Sequence, residues 1–155
     1  MKRQRIQAGA VVKIPLGDGT HTYGRLLVKP YVEVYDSVTR EEITDLESIV
    51  AKPVLFTVSV FDHAITKGRW PIVSKLPYDE ETAELPLQFL QDVADPRRCR
   101  LIDAWGNITP ASIEECAGLE RAAVWEPEHV EDRIRDHYAG RPNTWFKSLK
   151  LKEVT

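Results

Sequence analysis

Apolar and polar residues alternate along several short segments of the chain, which is the period of a β-strand with one buried face. In residues 54–61, valine and phenylalanine alternate with residues that include Thr57 and Ser59. Residues 31–35 alternate in the same way around Glu33. Both segments are predicted strands. The alternation is strongest in residues 54–61, which should therefore be central in the sheet.

Glycine lies next to aspartate or asparagine at two points between β-rich segments, Asp18-Gly19 and Gly106-Asn107. Glycine supplies the positive φ that a tight turn needs, so each pair predicts a β-hairpin. About seven to nine strands are expected in total. Besides the two segments above, the predicted strands and short apolar runs are residues 11–16, 23–29, 71–75, 87–91, 100–104, 108–111 and 122–125.

Three helices are predicted from their terminal residues. A serine or threonine three residues before a glutamate is the capping-box spacing, and it occurs at Thr44 and at Ser112. Short helices should therefore cover residues 45–51 and 113–117. A longer helix is predicted for residues 127–139, because proline suits its first turn and glycine the position just past its last. Its core face should consist of Val130, Ile134 and Tyr138.

These elements predict an α+β fold, with a strongly bent, mainly antiparallel sheet and two or three short helices. Whether the sheet closes into a barrel is left open. A chain of 155 residues with 43% hydrophobic content suits one domain over residues 1–155. Residues 1–8, which include three basic side chains, are expected to be a loosely ordered basic start.

The chain has no apolar run long enough to cross a membrane and no apolar segment behind its basic start, so we expect a cytoplasmic protein. Cys99 and Cys116 are too few for a disulfide scaffold. Both cysteines are therefore expected to be reduced thiols in or near the core.

Charge is distributed unevenly along the chain. Six of the 21 basic and one of the 24 acidic side chains lie outside residues 7–146, which leaves 15 basic against 23 acidic, a balance of −8. This balance argues against a surface that binds nucleic acid and favours a basic partner.

Residues 124–140 hold two histidines among several carboxylates, a mixture that in many proteins marks a metal site or an acid/base pair. His129 and His137 are eight residues apart, about 12 Å along a helix axis, which is too far for them to bind one ion together. We therefore predict no metal ion and no cofactor.

Acidic side chains recur at helical spacing in the same stretch. Glu128, Asp132 and Asp136 are spaced i, i+4, i+8 and form what we call the acidic ridge. Like charges at this spacing destabilise a helix by roughly a few tenths of a kcal/mol per pair. The ridge is therefore either a solvated face balanced by nearby arginines or a docking surface. A second candidate surface, the acidic connector, consists of Asp79, Glu80, Glu81 and Glu84.

Three longer stretches carry a family resemblance: GAVVKIPLGDGTHTYGRLL, GRWPIVSKLP and GLERAAVWEPEHVEDRIRDHYAGRPN. They resemble the immunity protein 26 family, bacterial proteins generally encoded beside toxins of the polymorphic and contact-dependent type. The resemblance covers residues 9–143, and none of its motifs is catalytic. Its matching features are interpreted as structural, with both tryptophans as core anchors: Gly68, Arg69, Trp70, Pro71, Trp125, Glu126 and Pro127.

The resemblance implies a dedicated inhibitor that binds and blocks a cognate protein toxin, without enzymatic activity of its own. A basic nuclease is one candidate toxin, because acidic surface could cover a positive active-site cleft. Neither nucleic acid nor a membrane is expected as a direct partner, and the oligomeric state is left open. The alternative is a small enzyme that uses the Asp, Glu and His groups of the last predicted helix, which would require unlike groups converging from several elements.

Overall fold

Within residues 2–28 and 31–154, which the computed structural model describes, the protein has an α+β fold with two β-sheets and five short helices. The strands are β1 (Ala10–Pro15), β2 (His21–Leu26), β3 (Tyr31–Tyr35), β4 (Val54–Val60), β5 (Ile72–Lys75), β6 (Gln88–Gln91), β7 (Cys99–Ile102), β8 (Ile108–Ala111) and β9 (Val124–Trp125). The helices are α1 (Leu46–Val50), α2 (His63–Thr66), α3 (Ile113–Cys116), α4 (Pro127–Ala139) and α5 (Thr144–Leu149).

Six strands form the main sheet, in the order β5-β1-β2-β3-β4-β9. Neighbouring strands are antiparallel except β4 and β9, which run parallel. The predicted antiparallel character is confirmed, and the sheet is open instead of closed into a barrel. The prediction that residues 54–61 are central is wrong, because only the two-residue strand β9 lies beyond β4 at that edge.

Both faces of the main sheet are covered. On one face Ile14 and Val34 pack with Val130 and Ile134 of α4 in the largest apolar cluster. Successive side chains of a strand point to opposite faces. Val11 and Tyr23 accordingly belong to a second cluster that includes apolar residues of α1. Helices α1 and α4 therefore lie on opposite faces of the sheet.

The smaller sheet has the order β6-β7-β8 and a core of its own. Phe89, Cys99 and Cys116 are its buried residues. Both cysteines are buried free thiols, as the sequence predicts. Burial raises the pKa of the Cys116 thiol above its ordinary value, which favours its neutral form.

The three predicted helices are confirmed as α1, α3 and α4. Ser112 and Glu115 form the expected capping box at α3. The cap of α1 is Asp45 in place of Thr44, because the Asp45 side chain accepts a hydrogen bond from the amide of Ser48. Helices α2 and α5 are absent from the prediction.

The N-terminal segment is attached to the main core through Gln4. Its side-chain Nε2 donates to the backbone oxygens of Ile65 and Trp70 over 2.9 and 3.0 Å. Its Oε1 accepts from the amide of Ile72 over 2.7 Å. This side chain therefore joins the start of the chain to α2 and β5, an attachment that the basic composition of the segment does not reveal.

Candidate functional site

Arg69, Trp70 and Glu131 form a hydrogen-bonded cluster that joins the segment before β5 to helix α4. Arg69 donates from Nε and Nη2 to the two carboxylate oxygens of Glu131, each over 2.8 Å. Trp70 donates from Nε1 to Glu131 Oε2 over 2.9 Å. Trp70 is fully buried, and the Glu131 side chain is only 7% exposed. A two-point ion pair and an indole donor thus satisfy a buried carboxylate and fix α4 to the core.

The sequence prediction missed Glu131 and misplaced Tyr138. Tyr138 was expected in the core, but it is 38% exposed and its hydroxyl donates to Asp36 Oδ1 over 2.7 Å. The buried residues of α4 have the spacing i, i+3, i+4, i+7, which is the usual core face of a helix: Pro127, Val130, Glu131 and Ile134. That spacing is the signal that identifies Glu131, and a carboxylate at such a position requires a partner.

Gly68 precedes this cluster at a position where only glycine fits. Its φ is +78°, a conformation that residues with a side chain rarely adopt. A Cβ at this position would lie 2.4 Å from the backbone oxygen of Lys2. Gly68 therefore allows the N-terminal segment to pass directly against the turn that presents Arg69.

The other residues of the two tryptophan segments contact the rest of the protein. Trp125 and Pro127 are buried where β9 leads into α4. Glu126 has its carboxylate 3.2 Å from Nε2 of His63. The backbone oxygen of Pro71 accepts from the amide of Lys13 over 2.9 Å. These contacts join the two tryptophan segments to the rest of the chain.

Each carboxylate of the acidic ridge has a cationic neighbour. The pairs are Glu128 with Arg69, Asp132 with Arg135 and Asp136 with Arg141. Burial raises the pKa of Asp132, but the hydrogen bonds from Arg135 and Trp145 outweigh it and hold that pKa below its ordinary value. The ridge therefore carries less uncompensated negative charge than its sequence suggests.

The acidic connector lies on the surface between β5 and β6, and its four acidic residues are exposed. Among the described residues, none of its carboxylates is within ion-pair distance of a cation. Asp79 accepts from the amide of Glu81 over 2.9 Å, which fixes a local turn. Arg25 lies nearby, but its guanidinium donates to the backbone oxygens of Leu76 and Pro77. The connector therefore presents a group of like charges that no ion pair with a described residue neutralises.

The histidines of α4 are engaged in ring contacts. His129 stacks on Trp145 with the ring centroids 3.6 Å apart, and His137 meets the Tyr138 ring edge-on at 5.0 Å. Over residues 2–28 and 31–154, no three His, Cys, Asp or Glu side chains are grouped as metal ligands. In the same part of the chain, no helix has the length and apolar character needed to cross a bilayer.

No curated protein and no solved structure matches the chain. The family model described as Immunity protein 26 matches residues 7–100. The matched part contains Arg69, Trp70 and the acidic connector, and it ends before α3, so Glu131 and the acidic ridge lie outside it. Because the match spans more than half of the chain, the protein belongs to the immunity protein 26 family.

Proposed function

We propose that the protein binds a cognate toxin domain and blocks its activity through acidic surface. Family membership supports an immunity role in general. The observation that carries the more specific proposal is the acidic connector, whose exposed carboxylates have no ion-pair partner among the described residues. An uncompensated patch of one sign accelerates encounter with a surface of the opposite sign and orients it.

A basic nuclease is the class of toxin that fits this surface best. Enzymes that act on nucleic acid bind phosphate groups through lysine and arginine, so their active-site clefts are positively charged. An inhibitor can block such a cleft by covering it with carboxylates, which compete with the phosphates for the same cations. The balance of −8 over residues 7–146 supports a partner of this kind.

The acidic ridge is the second candidate for the docking surface. It lies along α4, and Glu128 is its most exposed member, with a side chain that is 61% exposed. Its pairing with arginines reduces the field that it presents to a partner. We therefore assign the main electrostatic contribution to the acidic connector.

The alternative function, a small enzyme that uses the acidic and histidine side chains of α4, has weaker support. Catalysis requires unlike groups that converge on a space where a substrate fits. The ridge carboxylates are paired with arginines, and the ring of His129 is stacked against Trp145. These side chains make contacts within the protein and do not converge on a shared reaction centre.

Charge reversal in the acidic connector should slow toxin binding without unfolding the protein. For the variant Glu80→Lys/Glu81→Lys/Glu84→Lys, we expect association about ten-fold slower or more at about 20 mM salt, and a much smaller difference at about 0.3 M. The unfolding free energy should change by less than about 1 kcal/mol, because these carboxylates form no ion pairs with described residues. Stopped-flow association rates at both salt concentrations and thermal melts measure the two effects.

The matched control changes the same number of charges at exposed positions elsewhere: Glu41→Lys/Glu114→Lys/Glu153→Lys. It has the same net charge as the connector variant and should slow association by less than about three-fold. Equal slowing by both variants would contradict a docking role of the connector and leave only an effect of net charge. The partner for these assays is the toxin domain encoded by the adjacent gene. If the unmodified chain neither binds that domain nor protects cells that express it, the proposed function is wrong.

Neutralising the acidic ridge should affect stability more than association. The variant Glu128→Gln/Asp132→Asn/Asp136→Asn removes three partly exposed ion pairs, so we expect a loss of about 1–2 kcal/mol in unfolding free energy. Association should slow by less than about three-fold at low salt. The same melts and stopped-flow measurements apply. A ten-fold slower association with an unchanged melt would move the docking surface from the connector to the ridge.

A further inference from the structure

A cleft of about 470 Å³ opens between β4 and the helices α4 and α5. Its apolar lining includes Leu55, Phe56 and Phe146. Its polar lining includes lysine, arginine and histidine side chains, and no carboxylate is among the described residues that line it. A volume of this size lies in the range of sites that bind a small ligand or a few side chains of a partner. The cleft therefore combines an apolar floor with positive charge in a chain whose net charge is −3.

Arg133 packs against the aromatic rings at the bottom of the cleft, and its positive charge is already paired with a carboxylate. Its guanidinium carbon lies 3.9 Å from the ring centroid of Phe56 and 4.0 Å from that of Phe146. The same guanidinium donates to both carboxylate oxygens of Glu120 over 2.8 and 2.9 Å. The side chain is only 11% exposed. Arg133 thus holds the two rings in place, and Glu120 neutralises its charge.

The positive charge at the rim of the cleft comes from Arg141, Lys147 and Lys150. Both lysines are exposed, and neither forms an ion pair with a described carboxylate. Lys150 Nζ lies 5.4 Å from the ring centroid of Phe146, which places this cation next to the apolar floor. Arg141 is paired with Asp136, but its side chain is 66% exposed and has further N–H donors. The two lysines can therefore bind an anion without breaking an ion pair with a described residue.

We propose that this cleft binds a peptide segment of the toxin that carries a carboxylate beside an apolar side chain. The apolar side chain packs on Leu55, Phe56 and Phe146, and the carboxylate lies between Lys147 and Lys150. Charge complementarity selects the occupant, because carboxylates are the anions of a protein partner and the apolar floor requires a neighbouring hydrophobic group. The proposal rests on the proposed function for the identity of the partner.

A second contact of opposite polarity would add specificity to the complex. The acidic connector attracts basic surface, whereas the cleft accepts an acidic segment. A toxin that presents basic surface to the connector and an acidic segment to the cleft fits in one orientation. A protein with basic surface alone leaves the rim lysines unpaired. The pair of contacts therefore distinguishes the cognate toxin from other cationic proteins.

Peptide titrations followed by NMR test the cleft without the toxin. The probes are acetyl-Phe-Glu-amide and acetyl-Phe-Gln-amide, added to the ¹⁵N-labelled full chain. We expect saturable shifts at the amides of Phe56, Phe146 and Lys147, with the glutamate peptide bound about five-fold tighter or more at about 20 mM salt. The variant Lys147→Gln/Lys150→Gln should lose this preference. The matched control Lys52→Gln/Lys75→Gln, which removes two exposed lysines elsewhere, should keep it.

Three results would overturn the proposal. Equal affinity for the two peptides would show that the cleft does not recognise the carboxylate. Equal shifts from inorganic phosphate at the same amides would show a simple anion site with no need for an apolar group. An unchanged affinity of Lys147→Gln/Lys150→Gln for the toxin, where we expect about five-fold weakening, would exclude the toxin as occupant. Because the titrations use no toxin, the cleft and the proposed function can fail separately.

Discussion

Replacing Trp70 with alanine is expected to lower the unfolding free energy by about 3–5 kcal/mol. Trp70 is fully buried in the main core, and its indole Nε1 donates to the buried carboxylate of Glu131. The substitution leaves a cavity under the main sheet and removes one donor from that carboxylate. Because domains of this size are stable by only about 5–15 kcal/mol, the variant should lose much of its stability. Trp125→Ala should have a similar effect, since Trp125 is only 4% exposed.

Two further variants show how much of the stability lost in Trp70→Ala comes from removing a buried ring and how much from removing its N–H donor. Trp105 is 61% exposed in the turn between β7 and β8, so Trp105→Ala should cost less than about 1 kcal/mol. Trp70→Phe keeps most of the ring volume and loses the N–H donor, so we expect an intermediate loss of about 1–3 kcal/mol. Urea unfolding followed by circular dichroism measures all the variants. If Trp70→Ala and Trp125→Ala melted like the natural protein but lost toxin binding, their rings would belong to a recognition surface.

The sequence predicted most elements of the fold because their signals are local. The alternation in residues 54–61 corresponds to β4, and the turn at Asp18-Gly19 joins β1 to β2. Partners that are distant in sequence were harder to predict. Strand β9 pairs with β4 through Val60 and Trp125, and an alternating pattern contains no information about which strand lies alongside. The position of β4 next to the edge strand β9 and the division into two sheets therefore required the structure.

The two missed helices have different causes. Helix α2 has only four residues, so its periodicity is too short to detect. The side chain of its N-cap residue, Asp62, makes no capping hydrogen bond that could mark where the helix begins. Helix α5 did have a signal. Asn143 accepts a hydrogen bond from the amide of Phe146, and asparagine is a favoured N-cap residue. This cap is a local signal for α5, the helix that forms one wall of the cleft beside β4 and α4.

In the candidate site too, side-chain partners that are distant in sequence could not be predicted. The spacing along α4 identifies Glu131 as buried, but its partner Arg69 lies 62 residues away in sequence. The acidic ridge was recognisable from sequence, whereas the approach of Arg69 to Glu128, at 3.5 Å, was not. Contacts between residues distant in sequence therefore decide whether the ridge or the connector carries more uncompensated charge. The three-dimensional arrangement is what favours the acidic connector over the ridge.

Removing Arg69 is expected to destabilise the protein more than removing the ion pair as a whole. Arg69→Met leaves the carboxylate of Glu131, which is 7% exposed, without its cation. Loss of one partner of a buried pair costs about 3–5 kcal/mol, and we expect about 2–4 kcal/mol here because the Arg69 side chain is 38% exposed and water can reach the site. Glu131→Gln keeps an acceptor for Trp70 and should cost only about 1–2 kcal/mol.

The double variant Arg69→Met/Glu131→Gln tests whether the pair acts as one unit. It leaves no buried charge without a partner, since the other carboxylate beside Arg69, Glu128, is 61% exposed and solvated. It should therefore be more stable than Arg69→Met alone, by about 1 kcal/mol or more. Urea unfolding of the four proteins in this cycle gives the coupling energy directly. Raising the salt concentration to about 1 M should lower the coupling energy only in part, because the Glu131 carboxylate is buried whereas the Arg69 side chain is 38% exposed. A double variant whose loss equals the sum of the two single losses would mean that Arg69 and Glu131 stabilise the protein independently of each other.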